Sequence, residues 1–171
     1  KKMDIQANEK LIVALDVDTE EKVEELVEKL ADFVGVFKVG HRLFTRYGPQ
    51  IIRIIKRKKV KVFYDAKFYD ISSVVEKSAE IVADLGVDMF TIHALGGLEM
   101  MQRAWKAAKK RNRFIKVLGV TLLTSLDSQT LREELGIEKN LKEEVIHLAN
   151  MARKAGLDGV IASPYEIEEL A

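Results

Sequence analysis

The chain has 171 residues, with 28 Lys and Arg against 27 Asp and Glu, 47% hydrophobic residues and no cysteine. This length suits one domain, and the hydrophobic content is too high for a disordered chain. The balanced charge offers no basic face for nucleic acid, and the lack of cysteine excludes disulfides, thiolate zinc sites and a cysteine nucleophile. No apolar run approaches the roughly 20 residues that span a bilayer, and the N-terminal segment lacks the apolar stretch of a signal peptide. We therefore expect a soluble cytoplasmic domain that binds neither nucleic acid nor membrane.

Short apolar runs alternate with longer amphipathic segments along the chain. The apolar runs predict buried strands, and the segments between them carry helical periodicity, as in Val23, Val27 and Leu30. In chain order the predicted elements are a strand over 11–15, a helix that begins after Asp18 or Thr19, a strand over 34–39, a helix over 43–58, a strand over 60–64, a helix over 73–85, a strand over 87–93, a helix over 98–109, a strand over 114–121, a helix over 141–155, a strand over 157–162 and the first turns of a helix over 164–171. This alternation is typical of a parallel sheet with right-handed crossovers.

Two architectures fit the alternation, a doubly wound open sheet and a (β/α)8 barrel. The first strand runs into Asp16 without the glycine-rich loop of a dinucleotide-binding sheet. Polar residues instead follow several strands, at the end where a barrel carries its catalytic groups. They are Asp16, Lys38, Asp65, Lys67, His93 and Thr124. The sequence therefore predicts an α/β protein of the (β/α)8 TIM-barrel type. About six of the eight βα units are present, so residues 1–171 are interpreted as a single barrel domain that is incomplete at its C-terminus.

The sharpest chemical signal lies at the end of the third predicted strand. Asp65 and Lys67 are two residues apart, so on a strand both point to one face, and Asp70 lies just beyond them. The second predicted strand adds Lys38 inside an apolar run. Charged groups in apolar surroundings are costly unless they are paired, so we expect these two lysines and two aspartates to pair at one rim. Such a lysine stays protonated and can donate a proton; the alternative is a structural ion-pair network that closes one end of the barrel.

Several short stretches form a longer pattern around these charges. They are Val13-Ala14-Leu15-Asp16, Phe37-Lys38-Val39-Gly40, Asp65-x-Lys67-x-x-Asp70-Ile71, Val87-Asp88 to His93-Ala94, Leu123-Thr124-Ser125 and Gly156-Leu157-Asp158-Gly159. In their order and spacing, from Leu11 to the C-terminus, they resemble orotidine 5′-phosphate decarboxylase of the bacterial type. The resemblance implies a cofactor-free decarboxylation of orotidine 5′-monophosphate to uridine 5′-monophosphate, the last step of de novo pyrimidine synthesis.

The resemblance also implies a role for each charged residue. Lys67 matches the lysine that protonates C6 of the pyrimidine as carbon dioxide leaves, and Asp65 would hold Lys67 and face the substrate carboxylate. Asp70 matches the aspartate that reaches into the neighbouring subunit's site, so the active form would be a homodimer. The residues implied to hold the substrate are Lys38 and Asp16 at the ribose and Thr124 at the pyrimidine edge.

The chain departs from the family pattern close to this segment. Tyr69 replaces a histidine, Val74 replaces a threonine that helps to hold the ribose across the dimer interface, and Ala66 replaces a larger apolar residue. We therefore expect weaker substrate binding and thinner packing behind the site. The family's phosphate grip comes from loops after the seventh and eighth strands, to which no residues here correspond. Because remote phosphate binding drives chemistry at the base, we expect activity to be impaired.

Two other functions remain open. A sister phosphosugar enzyme, such as a keto-gulonate-phosphate decarboxylase or a hexulose-phosphate synthase, shares Asp-x-Lys-x-x-Asp but uses magnesium; Lys38 argues against it, because those relatives generally carry Glu there. A catalytically inactive barrel fragment would expose sheet edges and apolar surface, and predicts additional dimerisation. The three histidines have no metal-ligand spacing, and we expect His93 to be a hydrogen-bonded structural residue.

Overall fold

The computed structural model describes residues 7–170 and contains a six-stranded sheet. The strands are β1 Ile12–Ala14, β2 Val36–Val39, β3 Lys61–Phe68, β4 Met89–His93, β5 Lys116–Val120 and β6 Gly159–Ile161. All neighbouring pairs are parallel, and their order β1-β2-β3-β4-β5-β6 follows the chain. Each strand is therefore added beside the preceding one, which is the succession that a barrel requires.

Helical segments follow each strand. They are α1 Glu20–Leu30, α2 His41–Tyr47, α3 Gln50–Lys56, α4 Ser72–Asp84, α5 Gly97–Arg111, α6 Ser128–Glu133, α7 Leu141–Ala155 and α8 Ile167–Leu170. Short 3₁₀ turns occur at Ala7–Lys10, Ala94–Gly96 and Pro164–Glu166. Among these described helices, none has both the length and the apolar character needed to cross a membrane.

The ends of α1 and α7 follow the local sequence signals. The Thr19 side chain accepts a hydrogen bond from the Lys22 amide at 3.3 Å, which caps α1. Asn140 and Glu143 form a reciprocal capping box at the start of α7. Gly156 ends α7 in the left-handed conformation, with φ 86°, which a residue without Cβ adopts at little cost. The predicted helix over 141–155 is confirmed at both ends.

The predicted helix over 43–58 is wrong as a single element. It is divided into α2 and α3 at Gly48 and Pro49. Gly48 has φ 58° and ψ −149°, outside the helical region, and Pro49 has no amide hydrogen to continue the helix. Ile51, Ile52 and Ile55 are nevertheless fully buried, as the periodicity predicts. The short α6 was not predicted; Asp127 caps it by accepting a hydrogen bond from the Thr130 amide at 2.8 Å.

Strand β3 positions the chemistry and is longer than the predicted strand over 60–64. Residues 62–66 are all buried, which is typical of a parallel strand covered on both faces. After an irregularity in its pairing with β4, the strand continues to Phe68, which pairs with Ile92. Asp65 and Lys67 therefore lie within the strand and not after it.

Candidate active site

The charged residues converge at the carboxyl ends of neighbouring strands. Lys38 lies near the end of β2, Asp65 and Lys67 in the last part of β3, and His93 at the end of β4. Because all strands are parallel, these ends share one edge of the sheet, which is where barrel enzymes carry out their chemistry.

The Asp65 carboxylate is the centre of this group. Its Oδ2 atom accepts a hydrogen bond from Lys67 Nζ at 2.7 Å and lies 3.4 Å from Lys38 Nζ. Its Oδ1 atom accepts a hydrogen bond from the Thr91 hydroxyl at 2.8 Å. The Asp65 side chain is 11% exposed, and the two lysine side chains are more open to solvent. The predicted pairing is confirmed for Lys38, Asp65 and Lys67.

The surroundings keep Asp65 ionised. Burial alone would raise the pKa of its carboxyl group, but the hydrogen bonds from Lys67 and Thr91 and the charges of Lys67 and Lys38 outweigh burial. The pKa of Asp65 therefore lies below the ordinary value for an aspartate. The result is a buried carboxylate flanked by two ammonium groups, an arrangement that can hold a proton donor close to a reacting carbon.

Thr91 is the member of this group that the sequence did not reveal. It is fully buried in β4, donates to Asp65 and accepts a hydrogen bond from the Lys67 amide at 2.8 Å. The available signal was one hydroxyl between Phe90 and Ile92, since a polar group in an apolar strand needs partners. The sequence does not indicate which partners these are.

His93 borders the same group. Its ring lies 5.8 Å from that of Tyr69, and its buried Nδ1 atom has no hydrogen-bond partner among residues 7–170. The expectation of a hydrogen-bonded structural histidine is therefore wrong at Nδ1. Burial lowers the pKa of His93, the Lys67 charge lowers it further and Asp65 opposes them, so the ring is neutral near pH 7.

Asp70 does not join the ion pairs of its own chain. It is exposed, and its Oδ1 atom accepts a hydrogen bond from the next amide, that of Ile71, at 2.7 Å. Asp70 has no ion pair within residues 7–170. The expectation that both lysines and both aspartates pair at one rim is therefore wrong for Asp70 within the described chain, where Asp70 lies in the loop after β3. Its neighbours Tyr69, Ile71 and Val74 are exposed apolar side chains.

The remaining sequence-predicted residues lie apart from the ion pairs. Asp16 is exposed beyond β1, and Thr124 is exposed beyond β5. Thr124 lines a groove of about 360 Å³ together with residues of the loops after β5 and β6, among them Leu126, Ser163 and Tyr165. Ala66 is buried in the core. In the described part of the chain, no group of three or more Asp, Glu and His side chains is arranged to hold a metal ion.

Successive βα units with charged residues at the carboxyl edge of a parallel sheet define a barrel-type enzyme domain. Residues 9–171 match the family model described as "Orotidine 5′-phosphate decarboxylase / HUMPS family". The chain belongs to this family.

Relatives that align with nearly all of this chain support the assignment. The chain is 43% identical to the orotidine 5′-phosphate decarboxylase of Moorella thermoacetica, over 97% of this chain and 68% of the relative. It is 48% identical to the enzyme of that name from Geobacter sulfurreducens, over 95% of this chain and 69% of the relative. The chain thus spans a little over two thirds of these relatives.

Solved structures agree with the fold. The orotidine 5′-phosphate decarboxylase of Lactobacillus acidophilus matches with a TM-score of 0.83 and 37% identity, over 94% of this chain and 74% of that one. The orotidine 5′-monophosphate decarboxylase of Methanocaldococcus jannaschii, in complex with inhibitor BMP, matches with a TM-score of 0.78 and 29% identity, over 94% and 71%. An uncharacterized conserved protein from Geobacillus kaustophilus matches with a TM-score of 0.89 and 35% identity, over 93% and 76%. The predicted barrel type, with about six of eight βα units, is confirmed.

Proposed function

We propose that this chain is a cofactor-free carboxy-lyase that converts orotidine 5′-monophosphate to uridine 5′-monophosphate in pyrimidine biosynthesis. One observation carries the proposal: the ammonium groups of Lys67 and Lys38 converge on one oxygen of the buried Asp65 carboxylate, at 2.7 and 3.4 Å. The names of the relatives supply the substrate class. We also propose that residues 1–171 act as one barrel domain and that the protein is cytoplasmic.

The chemistry assigns one role to each charge. The bond between C6 of the pyrimidine and the carboxylate breaks, carbon dioxide leaves, and the electron pair remains on C6. The Lys67 ammonium stabilises this developing carbanion and transfers a proton to C6, and solvent then reprotonates the amine. Asp65 holds Lys67 in place by their 2.7 Å contact and, in this proposal, faces the substrate carboxylate. Charges fixed before the reaction stabilise the transition state without reorganisation, which lowers the barrier.

The binding residues follow from the same proposal. Lys38 joins the charge network and contacts the ribose, Asp16 binds the ribose hydroxyls, and Thr124 binds the pyrimidine edge. The exposure of Asp16 and Thr124 supports such roles, because both side chains are open to a ligand at the carboxyl edge of the sheet. The groove beside Thr124 provides space there.

We further propose that the active form is a homodimer in which Asp70 enters the neighbouring site. Asp70 is exposed and unpaired within the described chain, and apolar side chains surround it: Tyr69 is 63% exposed and Ile71 is 68% exposed. Exposed apolar patches mark sites of contact with another protein surface, and this patch contains the Asp70 carboxylate that we propose acts in the neighbouring site. A second copy of this chain would complete its own site by the same contact.

Absorbance of orotidine 5′-monophosphate, followed after addition of the purified chain, tests the activity. Lys67→Ala should lower kcat by roughly 10²- to 10⁴-fold, the range for a lost general acid. Lys29→Ala is the matched control, since Lys29 is an exposed lysine of α1 that pairs with Glu25. Loss of absorbance in the wild type and the control but not in Lys67→Ala supports the proposal. Equal rates in all three proteins, or no turnover in any, would refute it for this chain.

A further inference from the structure

We infer that Thr91 is a positioning residue of this site: its hydroxyl group holds the Asp65 carboxylate and the Lys67 main chain in the arrangement that presents the Lys67 ammonium. The inference rests on the proposed decarboxylation for its catalytic consequence. Thr91 is fully buried and its hydroxyl group binds Asp65 and Lys67, so it acts through these two residues.

The pairing of β3 with β4 shows why a residue is needed at position 91. Tyr64 pairs with Phe90 and Phe68 with Ile92, so a four-residue step along β3 matches a two-residue step along β4. Asp65, Ala66 and Lys67 therefore lie opposite Thr91 alone. Such a bulge interrupts the ladder and leaves main-chain groups without their usual partners. The Thr91 hydroxyl oxygen replaces one of these partners by accepting the Lys67 amide at 2.8 Å.

The hydroxyl group also determines which oxygen of the Asp65 carboxylate is available to the two lysines. A threonine hydroxyl has one hydrogen, and Thr91 donates it to Asp65 Oδ1 at 2.8 Å. This leaves Oδ2 for Lys67 and Lys38. Thr91 is fully buried, so water does not compete for these contacts. The hydroxyl group thus determines the rotation of the carboxylate and, through it, the position of the ammonium groups.

The backbone of Lys67 needs this support. Its φ of 46° lies in the left-handed region, which is unfavourable for a residue with a Cβ atom. Strained residues persist where the surrounding structure holds them, and they cluster at functional sites. The hydrogen bond from the Lys67 amide to Thr91 supports this conformation from the neighbouring strand.

Thr91→Val removes the hydroxyl group and keeps the shape of the side chain, while Thr91→Ser keeps the hydroxyl group. Thr121→Val is the matched control: Thr121 is also a buried threonine, and its hydroxyl group donates to the Ile161 carbonyl at 3.2 Å, away from Asp65. Thr91→Val should lower kcat by roughly 10- to 100-fold, as expected for a misplaced reacting group. It should change KM less than about threefold, and Thr91→Ser and Thr121→Val should stay within about threefold of wild-type kcat.

A second measurement needs no substrate. The pKa of Asp65, followed by the NMR shift of its carboxyl carbon, should rise in Thr91→Val. The reason is that the hydrogen bond from Thr91, which this variant lacks, stabilises the ionised carboxylate. It should be unchanged in Thr91→Ser and Thr121→Val. If the wild-type chain does not decarboxylate, the proposed function fails, and the pKa of Asp65 still decides whether Thr91 positions this pair.

Three results would overturn the inference. The first is an unchanged kcat and an unchanged pKa of Asp65 in Thr91→Val. The second is an equal loss of kcat in Thr121→Val, and the third is no recovery in Thr91→Ser. If Thr91→Val does not fold, the amide proton shift of Lys67 in the wild type decides: it should follow the titration of Asp65 through the Thr91 hydroxyl group, and an insensitive amide would overturn the inference.

Discussion

Asp88 and Asp158 make the same pair of contacts at two places in the sheet. Each directly precedes a strand, β4 or β6, and accepts a main-chain amide hydrogen from the strand before it: Val62 at 2.7 Å and Val117 at 2.9 Å. Each also accepts a hydrogen bond from the ammonium group of a lysine in a preceding helix. The lysines are Lys56, 2.9 Å from Asp88, and Lys109, 2.8 Å from Asp158. Each aspartate therefore joins a helix and two strands at the end of the sheet opposite to the candidate site, the end that serves stability in barrel folds.

We expect these contacts to stabilise the fold in proportion to their burial. Asp158→Ala should lower the free energy of unfolding by about 2 kcal/mol, because it leaves the Val117 amide and the Lys109 ammonium without this acceptor. Asp88→Ala should cost less, since the Asp88 side chain is 32% exposed and that of Asp158 is 13% exposed. The control is Asp84→Ala, whose partner Arg111 is half exposed and whose loss should hardly matter. Urea unfolding at neutral pH measures all three, and equal midpoints for Asp158→Ala and Asp84→Ala would contradict the prediction.

His93 should make stability depend on pH in a defined range. Its pKa in the folded chain lies below the ordinary value of 6.5, because of burial and the Lys67 charge. Well above pH 6.5 the ring is neutral in both the folded and the unfolded chain and adds no pH dependence. As the pH falls below this value, the unfolded chain binds a proton that the folded chain does not, so the free energy of unfolding decreases until the folded pKa is reached.

His93→Gln should therefore flatten the decrease in the free energy of unfolding as the pH falls through the ordinary histidine pKa of about 6.5. His147→Gln is the control, because His147 is exposed on α7. Urea unfolding at several pH values gives the slope for each protein. Identical slopes in wild type and His93→Gln would show that the ring titrates alike in both states.

The sequence predicted those parts of the fold and site that depend on local signals. The pairing of Asp65 with Lys67 follows from a spacing of two on a strand, and the bounds of α7 follow from a capping residue and a terminal glycine. Gly48-Pro49 is also a local signal for the break between α2 and α3, but the helical periodicity on both sides of it favoured one continuous helix.

The remaining features depend on contacts between distant segments. Thr91 lies 24 residues from Lys67 along the chain, and no local pattern reveals a bulge that brings a single β4 residue opposite three β3 residues. The unpartnered Nδ1 of His93 has the same origin, since its surroundings come from β3 and the loop that follows it. Asp70 differs because its proposed partner lies on another subunit, which one chain cannot supply.

The proposed reaction should not depend on a divalent cation. Excess EDTA should leave the rate of loss of orotidine 5′-monophosphate unchanged, because the proposed step uses the Lys67 ammonium as the stabilising charge. A rate that falls with EDTA and returns with Mg²⁺ would instead favour a magnesium-dependent sister enzyme. Addition of Mg²⁺ to the untreated protein is the control for an effect of ionic strength.

Mixing two inactive variants should restore activity if Asp70 serves the neighbouring site. In a mixed dimer of Lys67→Ala and Asp70→Ala, both changes fall in one site, and the other site contains a native Lys67 and a native Asp70. Equal amounts, unfolded and refolded together, should therefore give about a quarter of the wild-type activity, since half of the dimers are mixed and each has one native site.

Lys29→Ala mixed with Lys67→Ala and refolded in the same way provides the reference for refolding yield. Half of all its sites contain both Lys67 and Asp70 whether or not subunits exchange, so about half of the wild-type activity is expected. If Asp70 acted within its own chain, every mixed dimer of Lys67→Ala and Asp70→Ala would carry one defect in each site, and mixing would restore nothing. The exposed Tyr69 and Ile71 beside Asp70 provide a second test of the dimer. Both residues should become protected from hydrogen exchange and chemical labelling as the protein concentration is raised and the dimer forms.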